Sequence, residues 1–351
     1  MNATIRDVAR ATGKSVAAVS AVLSGQTSGS IRVSEETRRN IEEAARALGY
    51  APHPHARSLA TRKAGVLGLV FPYVRAFTDQ NPFCSRIMAG VFDEAVRLKQ
   101  NVMLFTAVAG DGDTGAERTI VSPRVDGLIL VLPRQESAVL EQCVRKGVPC
   151  VTIVHRTASE AEFSINADDL RGGRLAAEHL IELGHRRIAH LIGSAHISSS
   201  APRRDGFAEA LADAGLAVRP ELMVPAGFDW ADGVAGLTRL LELPPRRRPT
   251  ALFAANDLCA VGVLRQMQKL GMRAPDDLAV VGYDDTWLAT TTSPPLTSVH
   301  MPIYDMGVAA SRTLVALIEG QDVRDRHAVL PVSLSVRQST VGGNGGTHTM
   351  P

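Results

Sequence analysis

Two textures of hydrophobic spacing divide this chain near residue 64. Over the first fifty residues, apolar side chains recur at helical intervals of three and four. Ile5, Val8 and Ala9 share one face of a first short helix. Thr4 stands at its start with Asp7 in capping-box register, and Gly13 is placed to end it in a left-handed conformation. Ser15 opens a second helix, with Val19, Val22 and Leu23 inward and Val16, Ala17, Ser20 and Ala21 outward. Ser34 opens a third, with Glu35 and Glu36 at its positive end, Ile41, Ala44, Ala45 and Leu48 inward, and Gly49 as terminator. Two short helices joined by a glycine turn and backed by a third form a helix-turn-helix unit. The prolines of Tyr50-Ala51-Pro52-His53-Pro54 forbid continuation of the third helix, and HARSLATRK (55–63) is too short to be a stable helix alone. This stretch reads as a linker that folds against a partner.

From Gly65 onward the runs are continuous: GVLGLVF (65–71), NVMLF (101–105), GLILVL (127–132), CVTIV (150–154), IAHLIG (188–193), TALFAA (250–255) and LAVVGY (278–283). Amphipathic segments separate them at 85–99, 137–146, 171–183, 203–214, 232–242 and 258–270. Unbroken apolar strands spaced by helices predict an α/β body of parallel sheets covered on both faces. So many units exceed one small sheet and predict two doubly wound lobes. The divisions expected are a helix-turn-helix domain (1–49), a hinge (50–64) and a body (65–341). Within the body, one lobe takes about 65–165 with 295–325 and the other 166–294 with 326–341. The Pro-rich stretch 294–302 marks a return to the first lobe, and the Gly-rich end, 342–351, predicts a disordered tail.

A length of 351 residues fits two or three domains. No apolar stretch approaches the ~18–20 residues that span a bilayer, and MNATIRDVAR lacks the apolar core of a secretory signal. Cys84, Cys143, Cys150 and Cys259 show no CxxC spacing and fit buried thiols in a reducing cytoplasm. The overall charge of +2 hides an asymmetry. Residues 1–63 hold ten Lys/Arg against five acids, a net +5, so the remainder carries −3. A basic head on a mildly acidic body points to a polyanion-binding unit carried by a different kind of domain.

Enzyme signatures are absent: no Walker A loop, no GxSxG, no HExxH. His179, His185, His190 and His196 fall on a helix, a turn and a strand and share no face, so no metal site is expected, and no cofactor. RGG (171–173), after Asp168-Asp169, is weak evidence for phosphate binding. LPPRRRP (243–249) reads as a solvated loop.

The strings TIRDVARATGKSVAAVSAVLSG (4–25) and RVSEETRRNIEEAARALGY (32–50) closely resemble the LacI/GalR family of bacterial transcriptional repressors. Further matches run in order along the chain: NPFCSRIMAGV (81–91), RVDGLIL (124–130), LGHRRIAHLIG (183–193), RRDGFAEAL (203–211), AANDLCAVGVL (254–264), VVGYDD (280–285) and SPPLTSV (293–299). The resemblance implies a cytoplasmic homodimer with DNA-binding heads, a hinge helix and a periplasmic-binding-protein-like body. That body clamps a small sugar-like effector and controls binding to a palindromic operator in double-stranded DNA, with no role for a membrane. The function implied is repression of carbohydrate uptake or catabolism genes. Regulation by a purine-like effector, a transporter's solute-binding protein and an enzyme on the same fold are the competing classes. The absence of a leucine heptad after residue 340 argues against a tetramer.

At the head, the positions matching the family's base-reading pair are Val16 and Ala17. Short outward side chains let the helix backbone approach base edges in the major groove. The third reader, often arginine, is Ala21, which removes a bidentate donor to guanine. Thr4, Ser15, Ser20 and Arg32 are the expected phosphate contacts. Leu59 matches the hinge leucine that wedges into a base step from the minor groove. In the body, the resemblance assigns Phe83, Ser199, Arg203, Phe228, Asn256 and Asp284 to the effector. Aromatic faces and forked polar groups suit a polyol, although Phe83 and Phe228 are equally core candidates by type. His155 stands where many members carry aspartate. With Asp284 near, its imidazolium is expected to be favoured, which suits an acidic or phosphorylated sugar.

Overall fold

The computed structural model describes residues 3–24, 33–50, 63–71, 82–105, 124–133, 137–157, 159–342 and 348–350. Two compact units result: an N-terminal head and, from Leu67, the body.

In the head, Asp7 turns its carboxylate back on Thr4, accepting the backbone N–H at 2.9 Å and the hydroxyl at 2.7 Å, which fixes the first turn of α1 (Ile5–Thr12). Ser15 starts α2 (Val16–Ser24) by accepting the Ala18 N–H at 3.2 Å, and Ser34 starts α3 (Glu35–Ala47) by accepting that of Thr37 at 3.3 Å. Val8, Ala9, Val19, Val22, Ile41 and Ala45 form a small core on which Ile5, Leu23, Ala44 and Tyr50 lean. Leu48, expected inward, is instead 42% exposed. The helix reverses there: Gly49 turns left-handed at φ 63°, and the N–H groups of Gly49 and Tyr50 bond back to the carbonyls of Arg46 and Ala45. That reversal puts Tyr50 on the core in place of Leu48.

The body's first sheet holds β1 (Val66–Val70), β2 (Asn101–Phe105), β3 (Gly127–Val131), β4 (Cys150–Ile153), β5 (Ser164–Ala167) and β11 (His327–Leu330), in the order β11-β5-β4-β3-β1-β2. The β1·β3, β3·β4, β4·β5 and β5·β11 pairs are parallel. Packed against it are α4 (Pro82–Arg97), α5 (Ala138–Lys146) and α11 (Ile303–Ile318). The second sheet holds β6 (Ile188–Ile192), β7 (Met223–Pro225), β8 (Ala251–Phe253), β9 (Ala279–Asp284), β10 (Thr297–His300), β12 (Ser333–Val336) and β13 (His348–Met350). Its order is β13-β12-β10-β9-β8-β6-β7, parallel except that β12 runs antiparallel to β10 and to β13. Helices α6 (Asp169–Glu182) and α7 (Ser200–Asp213) pair with each other, as do α8 (Trp230–Leu241) and α9 (Asp257–Lys269); α10 (Trp287–Thr291) is a single short turn beside α9.

The chain passes between lobes three times: at Asp168, at Met301-Pro302 and at Pro331-Val332. The last two correct the expected boundaries. β10, assigned by sequence to the first lobe, pairs with β9 in the second; β11, assigned to the second, pairs with β5 in the first. Pro302 and Pro331 lie just past these strands, where a residue without an N–H ends the ladder. The tail expected to be disordered contributes β13, which pairs Met350 with Leu334 along the open edge of β12. The segment 113–122 lies outside the described residues.

Candidate functional site

In the head, α2 turns Val16 and Ala17 to solvent, with Ser20 and Ala21 half-buried beside them and Val19 and Val22 inside. Ser15 sits at the N-terminus of this helix, where backbone N–H groups and the helix dipole favour a phosphate. Both donors of Thr4 are held by Asp7, so its capping role competes with a phosphate contact. Arg32 and Leu59 lie outside the described residues.

In the body, the candidate residues gather at the carboxyl ends of the parallel strands, where ligands of open α/β sheets bind. Asp284 ends β9 with φ 104° and Asp285 follows at 52°, a left-handed pair that costs about 1–3 kcal/mol per residue. Asp285 anchors this kink. Its carboxylate accepts Arg337 Nη2 at 2.7 Å and the Ser335 hydroxyl at 2.7 Å, lies 3.2 Å from His300 Nδ1, and its N–H donates to the Ser298 hydroxyl. Burial pushes the Asp284 carboxyl well above the usual range, with Asp257 and Asp169 adding and Arg203 opposing. Asp257 is pushed up to about 7, first by burial, although Ser298 and Thr286 donate to it.

Arg203, 5% exposed, projects from α7 into this cluster. Its Nε donates to Asp169 Oδ1 at 2.9 Å, its Nη1 to the Ala255 carbonyl at 2.9 Å, and its guanidinium lies 3.5 Å from the centre of the Tyr283 ring. Burial opposes its charge, yet Asp169, Tyr283 and Asp284 hold its pKa above the ordinary value. Asn256, next in sequence to Ala255, caps α9 through its side-chain oxygen. Phe228 covers Gly193 at the end of β6 so closely that a Cβ there would overlap the ring. Phe83 is buried at the start of α4, and its neighbour Cys84 is in electrostatic reach of Asp284, so this first-lobe helix faces the end of β9. Ser199 is buried at the start of α7, and Ser198 beside it donates to the Val154 carbonyl and accepts the Arg156 N–H across the lobes.

His155 departs from expectation. Its nearest carboxylate is Glu162, 3.5 Å from Nε2 in the connection leading to β5, and not Asp284. Burial lowers its pKa and outweighs Glu162, which reverses the expected imidazolium. The other histidines are dispersed: His179 meets Thr340, His185 meets Thr250, and His190 meets the Phe253 carbonyl. The glycines read as a phosphate signal pack instead, Gly172 under the Tyr283 ring and Gly173 against the backbone of Arg203. Sequence reasoning missed Arg156, Asp169, Asp257 and Tyr283. Only the Asp168-Asp169 pair at the start of α6 hinted at them.

A chain that joins a helix-turn-helix unit to a two-lobed body with a polar cluster where the lobes meet defines a class: regulators whose grip on DNA answers to a small molecule. Residues 4–53 match the bacterial regulatory proteins of the lacI family, and residues 177–340 match a periplasmic binding protein-like domain. The chain belongs to the LacI family of bacterial transcriptional regulators. It is 31% identical to the transcriptional regulator DegA of Bacillus subtilis (97% of this chain, 98% of the relative) and 34% identical to CelR of Thermobifida fusca (94% and 98%). Among solved structures it resembles a lac repressor dimer bound to operator and the anti-inducer ONPF (28% identity, 97% of this chain and 100% of that chain, TM-score 0.82). It also resembles a CelR–cellobiose complex (31% identity, 96% and 99%, TM-score 0.74). These relatives are transcriptional regulators, not enzymes, and among the described residues no helix is long and apolar enough to cross a membrane.

Proposed function

We propose that this chain is a cytoplasmic homodimeric repressor that reads an inverted-repeat operator and answers to a sugar-like effector held between its lobes. The observation that carries the reading is the join of a capped α2, with Val16 and Ala17 outward, to a cleft whose floor gathers Arg203, Asn256 and Asp284. Val16 and Ala17 would approach base edges, Ser15, Ser20 and Arg32 would meet phosphates, and Leu59 would wedge at the central step. In the cleft, Phe83 and Phe228 offer apolar faces and Ser199, Asn256, Arg203 and Asp284 offer polar groups, as polyol recognition requires. The cellobiose complex of CelR and a ribose complex of another LacI-family regulator support a carbohydrate effector. The test is selection of binding sites from random DNA by the full chain, followed by titration of the selected site with sugars and purines. An inverted repeat with half-sites about one helical turn apart, released or tightened by a sugar, is expected. A non-palindromic consensus would refute the dimeric reading, and a response to purines alone would refute the sugar.

A further inference from the structure

Two arginines where the lobes meet, Arg203 and Arg156, are tied to one carboxylate. Asp169, 1% exposed, opens α6 directly after the first crossing between lobes. One of its oxygens takes Arg203 Nε at 2.9 Å and the Tyr283 hydroxyl at 3.2 Å; the other takes Arg156 Nη2 at 3.2 Å. The remaining nitrogens of Arg203 are turned to the protein as well, whereas the Arg156 side chain is 34% exposed and its Nε has no hydrogen-bond partner. Arg203 Nη1 donates to the Ala255 carbonyl and Nη2 lies 3.9 Å from Met301 Sδ at the second crossing, while Arg156 Nη2 also donates to the Ala167 carbonyl at 2.7 Å. Asp257 and Asp284 lie within electrostatic reach of the same cluster.

Recognition of a carboxylate or phosphate needs a guanidinium fork whose charge is not already neutralised. Here Asp169 occupies the Nε of the Arg203 fork and the Tyr283 ring covers its face. We propose that Asp169 sets the charge class of the effector: by pairing with Arg203 and Arg156 it makes the cleft accept an uncharged polyol and refuse one bearing a carboxylate or phosphate. This replaces the acidic or phosphorylated sugar expected from His155, and it rests on reading the inter-lobe cleft as the effector site. An anionic ligand would enter beside the Asp169 carboxylate, which already takes one nitrogen of each arginine. Loss of the Asp169 charge would leave buried Arg203 and half-buried Arg156 without the carboxylate that pairs them, and a small oxyanion would then take that place.

The experiment titrates the full chain with inorganic phosphate, against potassium chloride at matched ionic strength, and reads thermal unfolding and calorimetry. Wild type, Asp169→Asn, Arg203→Gln and the Asp169→Asn/Arg203→Gln double variant are compared. Wild type is expected to show no saturable phosphate stabilisation beyond the chloride control. Asp169→Asn is expected to bind phosphate at least tenfold more tightly than wild type, and the double variant to lose that gain. Asp169→Glu should retain the refusal. Phosphate stabilisation of wild type that disappears in Arg203→Gln would overturn the proposal, as would an Asp169→Asn protein with no gain. Should Asp169→Asn fail to fold, Asp169→Ser takes its place, and the wild-type and Arg203→Gln arms decide independently. Phosphate reads the charge of the cleft whatever the effector is, so failure of every sugar in the operator assay would leave this comparison intact.

Discussion

The arrangement that holds Arg203 against Asp169 depends on how closely α6 and α7 approach, and Gly173 is where they touch. A Cβ at Gly173 would overlap the carbonyl oxygen of Arg203 and lie 2.9 Å from its carbonyl carbon and 3.0 Å from Phe207 N. Ordinary carbon contacts are ~3.5–4.0 Å, so Gly173→Ala must part the helices by about 1 Å. The obstructing atoms are backbone, which cannot rotate aside as a flexible side chain would. Overpacking of this kind costs ~1–3 kcal/mol, while removal of a helical glycine returns up to ~1 kcal/mol. A net loss of about 1–2 kcal/mol is therefore expected. The same 1 Å would stretch the 2.9 Å Arg203–Asp169 bond to nearly 4 Å, beyond hydrogen-bond reach. Urea unfolding of the body gives the first quantity, and the phosphate titration gives the second, since a loosened Arg203 should begin to accept the anion. An unfolding midpoint equal to or above wild type would refute the close approach. A loss of stability with phosphate still refused would show that Asp169 and Arg203 follow the helices without parting.

Other perturbations test the head and the titrating groups. Tyr50→Ala should destabilise the head by ~1–3 kcal/mol in thermal unfolding, whereas Leu48→Ala should stay within ~0.5 kcal/mol; the reverse order would contradict the helix reversal at Gly49. Ala21→Arg should tighten operator binding and select a guanine-bearing variant, at ~1–3 kcal/mol of discrimination in a gel-shift series. Asp257, pushed up to about 7 from an ordinary 3.8, keeps in the native state a proton that the unfolded chain has released. Its stabilising contribution is full below about 4 and is lost as pH rises to about 7, at no more than ~1.4 kcal/mol per pH unit. The difference in urea midpoint between wild type and Asp257→Asn at pH 5, 6, 7 and 8 should follow that sign. Because burial lowers the pKa of His155, calorimetric effector affinity from pH 6.5 to 8 should have the same slope in wild type and His155→Gln.

What the sequence revealed, and what it hid, follows from where polar groups find their partners. The central strands β1, β3, β4, β6, β8 and β9 are apolar on both faces, so their runs announce them within a residue or two. Strands β5, β10 and β12 (SINA, TSVH and SLSV) carry no such signal. Their buried polar residues bond to distant groups: Ser164 to His327, the Asn166 amide nitrogen to the His155 carbonyl, Thr297 to Thr340, Ser298 to Asp257. Hydropathy registers the cost of burying a hydroxyl but not the remote partner that offsets it. The misplacement of β10 between lobes has that origin. The cleft shows the same division at higher stakes. Arg203, Asn256 and Asp284 could be picked out by type and motif, because a fork, an amide and a carboxylate are properties of single residues. Whether the fork faces a ligand or a carboxylate of its own chain is a property of the pair, and Asp169 lies 34 positions from Arg203 on another helix. An arginine read alone therefore announces an anion site; the same arginine read with Asp169 announces a neutral one.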